Sequence, residues 1–204
     1  MVLSSIEMRD TAITRSTSAS GAAMALNTAV LRAFDSEIRE HEALNRGGGI
    51  YAVESTVELT GCVVEQITAE QDGGCMYAFS STLKLDTTDM NECRGLKGGA
   101  IYGIACPSVE TSYSTFSHNS AVTGGAVNLE SSNFADTQSS FDHNSAVGSG
   151  GAISLDGEST FSAVDTYLSY NEVSWIYILP MQTRNWCGSP RWTVPVSFFL
   201  FIYF

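Results

Sequence analysis

The stretch from Gly124 to Ser149 reads GGAVNLESSNFADTQSSFDHNSAVGS, and the stretch before it, from Gly98 to Thr123, reads GGAIYGIACPSVETSYSTFSHNSAVT. Both open with two glycines and an apolar pair, and both end with Phe-x-His-Asn followed by Ser-Ala-Val. Two motifs that recur in the same phase indicate a structural repeat, because chance rarely produces both together. The two rows therefore predict a solenoid.

Glycine pairs extend the repeat in both directions at a nearly constant interval, which is typical of repeat architectures. The pairs are Gly48-Gly49, Gly73-Gly74, Gly98-Gly99, Gly124-Gly125 and Gly150-Gly151. A degenerate row begins at Gly21, one further interval before the first pair. The Asn motif continues as Leu168-Ser-Tyr-Asn171, and Met90-Asn-Glu-Cys93 keeps only its spacing.

The residues between the glycine pairs favour strands, because they are rich in Val, Thr, Ser, Tyr and Phe with rough alternation. One row has room for about three strands of roughly five residues. Each strand is expected to pair in parallel with its counterpart in the next row, about 4.8 Å away. This predicts an all-β fold, a parallel β-helix of about five to six coils of about 25–27 residues.

The repeated residues are given structural roles by this fold. We expect one internal ladder from the apolar residue that follows each glycine pair: Ile50, Met76, Ile101, Val127 and Ile153. A second ladder is expected from Phe116, Phe141 and Leu168. A third is expected at a bend from Asn119, Asn144 and Asn171, because Asn tolerates left-handed conformations and its amide satisfies turn backbone groups. In the first and the degenerate rows, the sequence predicts Gln66 and His41 at the Asn position.

Gly-Gly-Ala-Ile/Val alternating with Phe-x-x-Asn at this interval resembles the repeat of the chlamydial polymorphic outer membrane proteins. The resemblance covers roughly residues 48–175 and implies a right-handed parallel β-helix that is at the cell surface or secreted, often an adhesin-like passenger. The repeat pattern divides the chain into a partial or degenerate N-terminal coil (residues 1–20), β-helix repeats (residues 21–175) and an atypical apolar C-terminal tail (residues 176–204). The resemblance implies an extracellular, cell-surface or outer-membrane location.

The two ends depart from that family. The chain begins MVLSSIEMRDTAITR, in which no secretory signal is visible, and the segment after Trp175 is too short for a membrane barrel. We therefore expect a fragment or a shortened gene model. The acidic residues all precede the tail, which carries a small positive charge. The apolar end of the tail, from Val194 to Phe204, is shorter than the ~20 residues needed to span a bilayer. We therefore expect the tail to be a capping segment or out-of-frame sequence. A membrane-peripheral segment or a truncated membrane anchor is the alternative.

Charge and cysteine usage limit the partners. The acidic balance argues against nucleic acid, which usually needs a basic footprint. The five cysteines form no C-x-x-C pair, which argues against zinc. Isolated buried thiols are favoured; a disulfide such as Cys62 with Cys93 or Cys75 with Cys106 is compatible with a secreted protein, but the sequence does not assign the pairing.

An enzymatic function also has to be considered, because many parallel β-helices are polysaccharide lyases or hydrolases. No Lys or Arg occurs from Gly98 to Gln182, so the best-formed rows lack the base of a lyase. The carboxylates that are candidates by residue type are Asp136, Asp142, Asp156, Glu158 and Asp165. Asp136 and Glu110 share the same offset from their row starts, as a stacked pair would, but solvated acids on the outer face are favoured.

His118 and His143 fall at the same position of the repeat, so they are expected to lie one above the other and to point outward, with Tyr170 next in line. A solvent-facing polar ladder is favoured over a metal site or a pH-sensitive element. The sequence thus assigns no catalytic, cofactor-binding or metal-binding residue, and no cofactor.

The sequence predicts a non-catalytic recognition or adhesion module whose outer face presents Ser, Thr, Asn and Asp side chains over about 24 Å for five coils. The expected partners are cell-surface glycans or proteins, with membrane association only through missing sequence or weakly through the tail. A carbohydrate-active β-helix enzyme, similar to a polysaccharide lyase or hydrolase, is the alternative. A non-functional fragment of a longer gene is a third.

Overall fold

A computed structural model describes residues 4–173 and 192–195 of the chain. An N-terminal part-coil holds β1 (Ser4–Arg9), β2 (Ala12–Thr14) and β3 (Thr17–Ser18). Six coils follow, with strands β4 (Met24–Asn27), β5 (Ala29–Phe34), β6 (Glu37–Arg39), β7 (Glu42–Ala43), β8 (Ile50–Val53), β9 (Thr56–Thr60), β10 (Val63–Glu65), β11 (Thr68–Ala69), β12 (Met76–Phe79), β13 (Thr82–Asp86), β14 (Asp89–Asn91), β15 (Ile101–Ile104), β16 (Ser108–Ser112), β17 (Thr115–Ser117), β18 (Ser120–Thr123), β19 (Val127–Glu130), β20 (Asn133–Thr137), β21 (Ser140–Asp142), β22 (Ser145–Ser149), β23 (Ile153–Asp156), β24 (Thr160–Val164), β25 (Tyr167–Ser169) and β26 (Glu172–Val173). A last strand is β27 (Trp192–Pro195).

The strands of successive coils pair in parallel and build four faces. Face I contains β4, β8, β12, β15, β19 and β23; face II contains β1, β5, β9, β13, β16, β20 and β24; face III contains β2, β6, β10, β14, β17, β21 and β25. Face IV consists of two groups of strands: β3, β7 and β11, followed by β18, β22 and β26. Arg94 joins the two groups, because it forms isolated β-bridges with Thr68 and with Ser120. Strand β27 closes face II by pairing antiparallel with β24.

This architecture confirms the predicted parallel β-helix, with six full coils after the part-coil. Most coils have four strands where the sequence predicted about three, because most strands of face IV have only two residues, below the length assumed for a strand. The predictions for residues 176–191 and 196–204 of the tail, and for Cys187, lie outside the described residues.

The core is a stack of side-chain columns, one residue per coil. On face I, Ile50, Met76, Ile101 and Val127 are partners in consecutive strands and are fully buried, which confirms the predicted ladder. On face III, Phe116 and Phe141 stack with ring centroids 4.6 Å apart. Leu168 continues that column, as predicted. Each coil buries its apolar side only against its neighbours, so the stack stabilises itself cooperatively.

The coils turn at four corners, and residues with positive φ mark them. At the corner between faces IV and I this residue is glycine in every full coil, for example Gly73 (φ 66) and Gly124 (φ 63). A Cβ on Gly124 would lie 2.3 Å from the carbonyl oxygen of Val127, so only glycine fits there. In the first full-length row the positive-φ glycine is Gly47, not the predicted Gly48, so this row begins one position earlier than the glycine pair suggested.

The corner between faces III and IV carries the asparagines. The left-handed residue there is His118 or His143, one residue before the Asn, so the prediction that Asn itself adopts this conformation was wrong. The Asn side chains instead point inward, and each Oδ1 accepts a hydrogen bond from a backbone N–H of the preceding coil. His41 occupies the same position, as predicted, and its Nδ1 lies 3.1 Å from the backbone nitrogen of Ser16. Gln66 was wrongly placed there, because it is the exposed left-handed residue of its coil.

Candidate functional site

The outer surface of face III in the last three coils holds a compact set of polar and aromatic side chains. Successive strand residues alternate between the core and solvent, and the left-handed corner residues on both sides also point outward. We call this set the face III grid. Its members are Tyr113, Thr115, Ser117, His118, Gln138, Ser140, Asp142, His143, Asp165, Tyr167, Ser169 and Tyr170.

One edge of the grid is a stack of three rings. The rings of His118 and His143 are parallel within 3°, with centroids 5.2 Å apart, and Tyr170 stacks on His143 at 4.8 Å. All three are exposed, so the predicted outward ladder is confirmed. Because the rings cover one another's faces, the ladder offers mainly ring edges to a partner, with the imidazole nitrogens and the phenol hydroxyl as hydrogen-bonding groups.

Asp142 is the charged centre of the grid. Its carboxylate lies 2.6 Å from Nδ1 of His143 and accepts a hydrogen bond of 2.6 Å from Ser169 Oγ. The hydrogen bond from Ser169 and then that from His143 hold the pKa of Asp142 below its usual value. The group therefore remains a carboxylate at neutral pH and keeps His143 in a fixed orientation.

Three tyrosines are the most exposed aromatic side chains of the grid: Tyr113 is 60%, Tyr167 is 67% and Tyr170 is 73% exposed. Sequence reasoning missed Tyr113 and Tyr167, because neither belongs to a repeated motif. The equivalent positions of the neighbouring coils hold Gln138 and Ser140. The usable signal was a large aromatic residue at a repeat position that faces solvent.

A second polar cluster lies on face I, where Tyr51, Tyr77 and Tyr102 form an outward column. Lys97 Nζ and Tyr102 OH both donate to Oε1 of Glu130, at 2.6 and 2.8 Å. The bond to Glu130 raises the pKa of Lys97, and burial raises the pKa of Tyr102 to about 12. Neither group is in a state to accept a proton at neutral pH, which a catalytic base must do.

A shallow concavity of about 530 Å³ lies over the corner between faces III and IV of the N-terminal coils. Its rim includes Arg15 and Glu40, which form an exposed ion pair at 2.5 Å. The hydrogen bond from Arg15 holds the pKa of Glu40 below its usual value. A surface ion pair of this kind has ordinary protonation states and little net stabilisation.

The acidic candidates do not assemble into one site. Asp136 pairs with Thr111 and not with Glu110, so the predicted carboxylate stack was wrong by one residue. Asp136 also points into the core, where the hydroxyls of Thr111 and Thr166 donate to its carboxylate. The expectation of a solvated acid was therefore wrong for this residue.

The other acidic candidates are spread over the surface. Asp156 ends a strand of face I, Glu158 lies in the turn that follows, and Asp165 lies at the corner between faces II and III. All three are exposed. Of the acidic candidates, only Asp142 and Asp165 belong to the face III grid.

The cysteines depart from both predicted pairings. Cys75 and Cys93 form a disulfide within one coil, across 18 residues of sequence. Cys62 and Cys106 are free and buried, and burial raises the pKa of both thiols. Sequence offsets could not find the disulfide, because the two residues face each other across the interior of a coil and do not stack between coils.

Membrane-spanning helices and metal clusters are both absent from the part of the chain that the structure describes. Residues 4–173 and 192–195 contain no helix long and apolar enough to cross a membrane. Within the same ranges, no three His, Cys, Asp or Glu residues are grouped so that they could hold a metal ion.

Stacked parallel strands around a continuous core define the chain as a parallel β-solenoid. A family model described as "Right handed beta helix region" matches residues 4–172, so the chain belongs to the right-handed β-helix family. No curated protein and no solved structure matches the chain.

Proposed function

We propose that this β-helix is a non-catalytic recognition module, adhesion-like in its role, that uses the face III grid to bind a macromolecule. The observation that carries the proposal is the grid itself: five aromatic or imidazole rings stand on outward positions that a rigid core holds in register. Tyr-rich surfaces with small polar residues are typical of recognition sites, because Tyr contributes a large contact area at a low entropic cost.

The chemistry of the described residues favours binding over catalysis. Lys97 is bound to Glu130 and Tyr102 carries a raised pKa, so neither offers the base that a polysaccharide lyase needs. Asp142 has a lowered pKa, whereas the acid of a glycoside hydrolase needs a raised one. These properties support the binding module against the carbohydrate-active alternative.

We place the module at a cell surface or in a secreted protein, as the resemblance to the passengers of polymorphic outer membrane proteins implies. The disulfide between Cys75 and Cys93 supports this location, because disulfides persist in oxidising compartments and are rare in the cytosol. The expected partners are glycans or proteins of another cell surface.

The test is binding of the labelled chain to cells before and after treatment with proteases or glycosidases. A triple variant, Tyr113→Ser with Tyr167→Ser and Tyr170→Ser, removes exposed rings without touching the core. Phe79→Ser on face I is the matched control, since it removes an exposed ring elsewhere. The proposal expects the triple variant to lose cell binding and Phe79→Ser to keep it. Failure of the unmodified chain to bind any cell, or equal binding by the triple variant, contradicts the proposal.

A further inference from the structure

Charge is distributed unevenly along the solenoid. All Lys and Arg residues up to Val173 lie between Arg9 and Lys97, and none lies from Gly98 to Val173. In the N-terminal coils, acids have cationic partners one coil away, such as Glu58 with Arg32 at 2.8 Å and Glu65 with Arg39 at 3.1 Å. The coils that carry the face III grid have no such cations.

The carboxylates of the grid are therefore not neutralised by Lys or Arg from their own coils. Asp142 and Asp165 stand among the exposed tyrosines, and Glu172 is exposed next to the ring ladder. Asp142 is held ionised by Ser169 and His143, as described above. The side chain of Asp142 is 31% exposed, so a partner can reach the carboxylate beside its contacts with the hydroxyl and the imidazole.

We infer that the grid recognises a basic polypeptide segment, with Arg or Lys side chains as the contacting groups. This inference rests on the proposed function. Carboxylates attract the cation, and a guanidinium binds carboxylates in a bidentate way. Tyr113 and Tyr167, which lie outside the ring ladder, offer exposed rings on which a cation stacks. Ser and Thr hydroxyls of the grid supply hydrogen bonds to the partner's backbone.

The dimensions fit a segment of a chain. Three coils extend over about 10 Å along the solenoid axis, since successive strands lie about 4.8 Å apart. This is the scale of a cluster of hot-spot residues and not of a full protein interface, which buries about 800 Å² per partner. Two or three basic side chains of one peptide would therefore occupy the grid, and the neighbouring polar residues of face III would form the rim.

The experiment measures the affinity of the intact chain, by calorimetry, for a short synthetic peptide of alternating Arg and Ser. A peptide with Glu in place of Arg and a neutral glucan oligosaccharide are the comparison probes. The double variant Asp142→Asn with Asp165→Asn tests the carboxylates, and the tyrosine triple variant tests the rings. Glu110→Gln with Glu158→Gln is the matched control, because it removes the same charge from exposed sites outside the grid.

The inference expects binding of the Arg peptide alone, weakened at least about 5-fold by either grid variant and by less than about 2-fold in the control. Affinity should also fall as salt rises, since the contact is electrostatic. Equal weakening by the control variant indicates only general attraction to an acidic surface and overturns the inference. Binding of the glucan but not of the Arg peptide also overturns it. Cell binding that depends on the tyrosines would in that case still support the proposed function.

Discussion

Asn119 and Asn144 lie one coil apart, and a single atom joins them: Oδ1 of Asn144 accepts both the backbone N–H and the side-chain amide of Asn119, at 3.0 Å each. The Nδ2 of Asn144 donates in turn to the carbonyl oxygen of Phe116 and to Oδ1 of Asn171. The ladder therefore satisfies buried backbone groups that a sharp corner removes from the sheets.

Asn144→Ala should destabilise the protein strongly. The change leaves the buried N–H of Asn119 without its acceptor and removes a donor from two further oxygens. Each orphaned buried group costs about 1–3 kcal/mol, so we expect the free energy of unfolding in urea to fall by at least about 3 kcal/mol. Asn133→Ala is the control, because Asn133 is exposed, and it should cost less than about 0.5 kcal/mol. Equal losses in the two variants would contradict the structural role of the ladder.

Val127→Asp should unfold several coils at once. Val127 is fully buried in the face I column, between Ile101 and Ile153. An unpaired carboxylate there costs several kcal/mol, and each coil depends on its neighbours for its core. Circular dichroism should show loss of strand signal, and hydrogen exchange should show loss of protection in the adjacent coils. Val122→Asp, at an exposed position of face IV, should fold normally; a variant of Val127 that is just as well folded would argue against the described core.

The core columns of the β-helix could be predicted from the sequence, because successive rows of the repeat have nearly the same length. Ile101, Val127 and Phe116 were placed correctly from motif spacing alone. Errors occurred where one residue was inserted or lost within a row. The glycine pairs at Gly98 and Gly124 are one residue further apart than the strand partners Thr111 and Asp136. Counting from the glycine pairs therefore placed Glu110, and not Thr111, beside Asp136.

The corners were less predictable, because three of the four mostly use residues other than glycine at positive φ. A small polar residue often follows the left-handed one and caps a backbone N–H of the preceding coil. Ser55 N, for example, donates to Ser81 Oγ at 3.0 Å. The recurrence of Ser at this spacing was a usable signal. The exposed Tyr113 and Tyr167 were missed because the neighbouring coils hold Gln138 and Ser140 at their positions, so no repeated motif drew attention to them.

The disulfide should contribute measurably to stability. Cys75 and Cys93 are both buried and close a loop across 18 residues of sequence. Closure of a loop of this size restricts the unfolded chain by about 3 kcal/mol. We expect reductant to lower the free energy of unfolding of the native protein by about that amount. The double variant Cys75→Ala with Cys93→Ala should be equally stable with and without reductant. A native protein that does not respond to reductant, or a mass map that joins Cys62 to Cys93, would contradict the pairing.

Tyr102 should make stability depend on pH in the alkaline range. Burial, followed by the hydrogen bond to Glu130, raises the pKa of Tyr102 to about 12, whereas an unfolded Tyr titrates near 10. The folded state thus favours the protonated phenol. Its contribution is complete below about pH 10 and is lost as pH rises through about 12. Because Lys97 and Glu130 are partly exposed, we expect this loss to amount to about 1–2 kcal/mol.

The measurement compares urea unfolding of the native protein and of Tyr102→Phe at several pH values from neutral to strongly alkaline. Tyr102→Phe should be less stable than the native protein at neutral pH, because it lacks the bond to Glu130, and the difference should shrink as pH rises. Tyr113→Phe, at an exposed site, should stay parallel to the native protein throughout. A constant difference between the native protein and Tyr102→Phe would show that the phenol titrates alike in the folded and unfolded states, and would contradict the raised pKa of Tyr102.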